Sequence, residues 1–150
     1  MPRIRVVVVE DFKPFRELIC ETLAKRLNVR VLCAVSDGPE AVQRTAELKP
    51  DLIFLDIGLP TLNGLEAARQ IRKLAPKSKI VFVSGESSPD VVQQALGVGA
   101  WGFVVKTRVG SDLLAALDAV LEGEHFVSPG LSGPSDPRLY RLNAMQPETR

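Results

Sequence analysis

Glu10, Asp11, Asp56, Ser84 and Lys106 each close or directly follow a short apolar run, and side chains of these types could act together on a phosphoryl group. Three carboxylates brought to one place repel one another, and without a cation one of them must take up a proton. A hard divalent cation removes that conflict, and Mg²⁺ suits one or two carboxylates plus waters. Lys106 adds one positive charge, too little to offset three negatives but well matched to an incoming phosphoryl oxygen. Ser84 can donate a hydrogen bond to the same group. A carboxylate beside such a cation can serve as the nucleophile of phosphoryl transfer, which yields an aspartyl phosphate.

These side chains meet only if the runs that carry them lie side by side. The runs are Ile4–Val9, Val29–Val35, Leu52–Leu55, Ile80–Val83 and Phe103–Val105. Most are apolar almost throughout, the pattern of parallel strands covered on both faces. Val29–Val35 contains Arg30 and suits a place nearer an edge. Helix-period stripes alternate with the runs: Phe15, Leu18, Ile19, Thr22, Leu23 and Leu27, with Pro14 in a first-turn position, and then a weaker stripe at Ala41, Val42, Thr45 and Ala46. Leu65, Ala68, Ile71 and Ala75 make a third stripe, closed by Pro76. Val91, Val92, Ala95 and Leu96 follow Ser88 and Pro89 and stop at Gly97 and Gly99. Leu113, Leu114, Leu117, Val120 and Leu121 make the last, with Ser111 as the expected cap and Gly123 as the stop.

Strict alternation of this kind predicts an α/β fold: a doubly wound sheet of five parallel strands with right-handed crossovers. The alternation does not state the strand order. In such an open sheet the site lies beyond the carboxyl ends of the strands, where the five polar residues stand. Residues 1–123 form one domain on this reading. Residues 124–150 are rich in Ser, Pro and Gly and are expected to be a linker or tail. Leu139, Tyr140, Leu142 and Met145 leave open whether that tail is mobile or docks as a short helix.

Composition narrows the function classes. The chain has 150 residues, 45% apolar and 25% charged, with a formal net charge of +1. That is one ordinary globular domain, and without a basic block neither nucleic acid nor a membrane surface is an expected partner. Cys20 and Cys33 lie far from metal-ligand or redox spacing and read as small packed residues. No apolar run approaches the roughly 20 residues of a bilayer span. No leader pattern precedes the first strand, so the expected compartment is the cytoplasm.

Four stretches resemble the receiver domains of bacterial two-component response regulators, over residues 4–122. They are Val8-Val9-Glu10-Asp11; Asp56-Ile57-Gly58-Leu59-Pro60 running to Asn63-Gly64; Ser84; and Gly99-Ala100-Trp101-Gly102-Phe103-Val104-Val105-Lys106. The resemblance implies a flavodoxin-like fold with strand order 2-1-3-4-5. It makes Asp56 the phosphoacceptor. It implies Mg²⁺ held by Asp11, Asp56 and the backbone carbonyl of Gly58, with Glu10 acting through a water. Ser84 and Lys106 would bind phosphoryl oxygens, and Ser84 with Phe103 would form the switch. The implied phosphodonor is a sensor histidine kinase, the target an unidentified downstream protein, and the state a monomer or homodimer. Such a protein is a phosphoacceptor rather than a conventional enzyme. Two departures stand out: Thr107 follows the lysine where many members have a cis proline, and Phe103 stands where many have tyrosine.

Each residue has a plainer reading as well. Alone, Asp56 could be a loop or cap carboxylate, Glu10 a solvated rim side chain, and Lys106 a surface lysine. Ser84 could cap the following turn, Phe103 and Trp101 could be packing, and Gly58, Gly64 and Gly102 could serve tight turns. His125 has no evident partner in the sequence. An aspartate-nucleophile phosphohydrolase would need an acid two residues after Asp56, where Gly58 stands. No glycine-rich phosphate loop follows the first run. The wording from Asp56 to Arg72 is closest to regulators with a helix-turn-helix output, so a receiver portion of a DNA-binding regulator is the alternative. The residues after the fifth stripe are too few and too rich in proline for that module, which favours a stand-alone receiver.

Overall fold

The computed structural model describes residues 3–130. Its strands form where the apolar runs lie: β1 (Ile4–Val9), β2 (Val29–Val35), β3 (Leu52–Asp56), β4 (Lys79–Ser84) and β5 (Gly102–Val105). All pair in parallel, in the order β2-β1-β3-β4-β5, as the resemblance implies. The run with Arg30 is the edge strand β2 and is only partly covered, whereas β3 and β5 are buried end to end.

Among the described residues the sheet has six strands rather than five. Phe126–Val127 (β6) pairs in parallel with β5, inside the stretch expected to be linker. The reason is the open edge of β5, whose unpaired peptide groups need partners. The Phe126 N–H donates to the Trp101 carbonyl at 3.1 Å and the Ser128 N–H to the Phe103 carbonyl at 2.9 Å. Two β-prone residues suffice to continue the ladder by one short strand. Leu139, Tyr140, Leu142 and Met145 lie outside the described residues.

Among the described residues five α-helices cover both faces: α1 (Lys13–Leu23), α2 (Gly38–Leu48), α3 (Gly64–Leu74), α4 (Pro89–Gly97) and α5 (Val109–Leu121). Asp37, Asn63 and Ser88 cap α2, α3 and α4 by accepting from the backbone N–H of Glu40, Glu66 and Val91. Side chains alternate across the sheet. Val7, Val9, Ile53, Leu55, Phe82 and Phe103 pack in one layer with Ile71 of α3 and Leu96 of α4. Val6, Val8, Phe54, Val81, Val83 and Val104 pack in the other with Ile19 of α1 and Leu117 of α5. Burial on both faces explains why these strands carry unbroken apolar runs.

Three helix details differ from the sequence reading. Leu18 points to solvent, and Leu27 lies beyond the end of α1 and is 91% exposed. The helix stops one turn before the stripe does, so Leu27 never reaches its face. Ser111 does not cap α5, because that helix begins at Val109 after a single 3-10 turn, Lys106–Arg108. Instead, buried Asp112 accepts from Arg108 Nε at 2.8 Å and from Ser111 Oγ at 2.9 Å.

Gly64 is required by closeness, not by a turn. A Cβ there would stand 2.1 Å from the Asp56 carbonyl oxygen and 2.7 Å from the Ile57 Cα. Gly64→Ala must push α3 away from the end of β3, at a cost of about 1–3 kcal/mol in urea-melt stability. Asp112 provides a pH test. Burial alone would raise its pKa, but hydrogen bonds from Arg108, Ser128 and Ser111 and the charge of Arg108 bring it below the ordinary aspartate value. A depressed carboxylate stabilises the fold above its unfolded pKa of about 3.9 and loses that contribution as pH falls through the folded value. Asp112→Asn is expected to be less stable than wild type by about 1–3 kcal/mol near neutrality. The gap should close in urea melts below about pH 4.

Candidate functional site

The carboxyl ends of β1, β3 and β4 and the turn after β5 meet at one rim. Glu10 follows β1, and its N–H extends the ladder to the Val35 carbonyl at 3.0 Å. Its side chain is fully buried, with Oε2 held by the Phe12 N–H at 3.0 Å. Asp11, next in the chain, is exposed. Asp56 ends β3 and is 4% exposed. Its Oδ1 accepts from the Gly58 N–H at 3.1 Å and its Oδ2 from Lys106 Nζ at 3.2 Å. The same Nζ lies 2.9 Å from Glu10 Oε1, a close ion pair. Lys106 therefore spans two buried carboxylates, with the Phe15 ring 5.0 Å away along its flank.

The electrostatics follow from that placement. Burial pushes the Asp56 pKa up, and proximity to Asp11 adds to it; Lys106 and the Gly58 N–H pull the other way without reversing the shift. Burial likewise raises Glu10, with Asp56 adding to it, against Lys106 and the Phe12 N–H. For Lys106, burial alone would lower the pKa, but Glu10 and Asp56 outweigh it and hold the ammonium charged. Two buried acids and a third at the surface thus share one ammonium. Carboxylate oxygens of Glu10, Asp11 and Asp56 come within 4.8 Å of one another. The ligand atoms are all oxygen, and one ammonium faces three carboxylates. An all-oxygen set with excess negative charge fits a hard divalent cation such as Mg²⁺.

The structure brings Glu10, Asp11, Asp56 and Lys106 together, and the plainer readings of Glu10 and Lys106 as solvated side chains fail on burial and pairing. Ser84 is buried at the end of β4, in register with Val105. Its Oγ accepts from the Glu86 N–H at 3.0 Å, so here it caps the following turn. Phe103 is fully buried in the core layer beside α4. Gly58 has no positive φ and room for a Cβ, so its backbone does not demand glycine. Lys106 is followed by Thr107 without a cis bond, since none occurs among the described residues. Trp101 packs at the other end of β5, its ring 4.4 Å from that of His125, the partner the sequence did not disclose. Sequence reasoning also missed the Phe12 N–H and the Phe15 ring, which α1 folds back onto the rim. Neither carries a polar signal in its residue type.

Among the described residues no helix is long and apolar enough to cross a membrane. Residues 6–118 match the family model of the response regulator receiver domain. The chemotaxis protein CheY of Thermotoga maritima is 33% identical over 116 residues, covering 77% of this chain and 96% of that protein. The transcriptional regulatory protein DegU of Brevibacillus brevis is 30% identical over 127 residues, covering 85% of this chain but only 54% of DegU. The chain thus spans about half the length of that relative. Among solved structures, the receiver domain of NarL from Mycobacterium tuberculosis superposes with a TM-score of 0.78 at 28% identity, covering 83% of this chain and all of that one. The response regulator domain of Thermotoga maritima CheB gives 0.74 at 31% identity, covering 80% and 97%. Sequence and fold agree over the same residues that build the rim, and the chain belongs to the receiver-domain family of two-component response regulators.

Proposed function

We propose that Asp56 is the phosphoacceptor of a two-component switch in the cytoplasm, with a sensor histidine kinase as donor and a protein as downstream target. The observation that carries this reading is Lys106 Nζ, held within 3.2 Å of Asp56 and 2.9 Å of Glu10 while Asp11 stands at the same rim. In the transfer, a carboxylate oxygen of Asp56 forms a bond to phosphorus as the bond to the donor's imidazole nitrogen breaks. Lys106 then follows the charge from the carboxylate to a phosphoryl oxygen, a short move for a flexible ammonium. Asp11, Asp56 and the Gly58 carbonyl would hold Mg²⁺, with Glu10 acting through a water. That ion, when bound, screens the carboxylates from one another and offsets charge on the transferring group.

Ser84 is the movable part of the switch. Its hydroxyl proton is not committed by the bond it accepts from Glu86, so it can turn to donate to a phosphoryl oxygen. Phe103, already buried in the core layer, is the second part of the switch on this reading. A second reading makes this chain the receiver portion of a DNA-binding regulator. It is favoured by DegU, a transcriptional regulatory protein of which the chain spans 54%. The mass of the intact native protein separates the two readings, and the chemistry at Asp56 is common to both.

Incubation with a small phosphodonor and Mg²⁺ is expected to label Asp56 through a bond that hydroxylamine cleaves. Wild-type labelling of Asp56→Asn would sink the assignment. Asp11→Asn is expected to weaken Mg²⁺ binding by about 1–3 kcal/mol in a calorimetric titration. The same variant should melt higher than wild type in a metal chelator, because one of three repelling charges has gone. Unchanged Mg²⁺ affinity would place the cation elsewhere.

A further inference from the structure

The turn that carries Lys106 is tied from outside the rim. Val105, just before it, donates its N–H to Ser128 Oγ at 3.1 Å. Ser128 is 2% exposed, and its hydroxyl lies close enough to the Asp112 carboxylate to help hold that group's pKa down. Asp112 also takes Arg108 Nε at 2.8 Å, and Arg108 closes the same 3-10 turn. Three side chains, two of them buried, thus form a ring that holds residues 105–108, Val105 through Ser128 and Arg108 through Asp112. Ser128 is its one member from beyond α5. Its own N–H is bound to Phe103, and β6 holds it in place against β5.

We propose that Ser128 is a positioning residue for Lys106. With Asp112 it fixes the turn from which the lysine reaches Asp56, so docking of residues 126–128 and phosphoryl capture at Asp56 support each other. The proposal rests on the phosphoacceptor reading for its purpose, but the hold on the turn stands on the Val105 and Arg108 hydrogen bonds themselves. A lysine presented from a loose turn must be ordered each time it engages the phosphoryl group, and the ring supplies that ordering in advance. Coupling between two sites is reciprocal. If the docked strand favours the engaged lysine, then a phosphoryl group on Asp56 must favour the docked strand. The way out of the domain towards residue 130 is therefore sensitive to the state of Asp56.

The test uses the full chain and its Ser128→Ala and Ser128→Thr variants. In Ser128→Ala, amide exchange at Val105 and Lys106 is expected to quicken at least about fivefold without donor or metal, and phosphorylation of Asp56 to slow by a similar factor. Mg²⁺ affinity should stay at the wild-type value, because no carboxylate of the rim has changed. Ser128→Thr keeps the hydroxyl and should restore both. In wild type, beryllofluoride with Mg²⁺ should slow amide exchange at Phe126–Ser128, an effect lost in Ser128→Ala. Wild-type phosphorylation rates in Ser128→Ala, or exchange at 126–128 that ignores beryllofluoride, would overturn the proposal. So would parallel losses of Mg²⁺ affinity and global stability, which mark a merely structural serine. Failure to label wild-type Asp56 would overturn the phosphoacceptor reading and the purpose given to Ser128, while the metal-free exchange result would still show whether the ring holds the turn.

Discussion

Burying two carboxylates against one ammonium is the constraint on which the rest of the structure depends. Glu10 is wholly shielded and Asp56 nearly so, and both face Lys106. Removing such charges from water costs several kcal/mol each unless their partners are well placed. Here the compensation is incomplete, since one ammonium faces two buried carboxylates and a third stands at the surface. The backbone must therefore hold three strand ends at one level. The parallel register does so: Val9 stands opposite Leu55, Asp56 opposite Val83, and Ser84 opposite Val105. A slip of one residue in any pair would turn a carboxylate or the serine to the other face.

Rigidity below the rim comes from the core, which is filled on both sides of the sheet by side chains that alternate along each strand. Phe54, Phe82 and Phe103 are all fully buried and leave little room for the strands to shift independently. Closeness matters as much as filling. Helix α3 starts almost in contact with the backbone of Asp56, and only the missing Cβ of Gly64 allows it. The edge beyond β5 is finished by a strand from the far side of α5, which removes an exposed row of peptide groups. The same strand brings Ser128 to the turn of Lys106, so closing the edge and steadying the lysine are one structural act.

Much of the fold was legible because it follows from local pattern. Continuous runs such as Val6–Val9 and Ile80–Val83 can be satisfied only between two covered faces, and Ser88 and Pro89 announce α4 by their own backbone chemistry. The polar residues that meet at the rim were legible for a related reason: Asp11, Asp56 and Lys106 stand at the ends of apolar runs, where a covered strand would otherwise continue. Strand order was not in the residues themselves and came only with the family resemblance, since alternation is compatible with more than one winding. Leu27 shows the limit of periodicity, because a stripe continues on paper after the helix has stopped.

By itself, then, the sequence determined the element types, the two-sided core and the polar residues available at the carboxyl ends, all of which depend on neighbours within a few positions. Only the tertiary structure decided which oxygen of Asp56 faces Lys106, that Glu10 is buried rather than solvated, that Gly64 answers a steric need, and that Phe126–Ser128 joins the sheet. Those outcomes depend on contacts between residues far apart in the chain, such as Val105 with Ser128 or Lys106 with Glu10. A serine in a Ser-Pro-Gly stretch reads as linker from its neighbours alone. It is held beside the turn of Lys106 because β5 offers it the N–H of Val105, which is not near it in sequence.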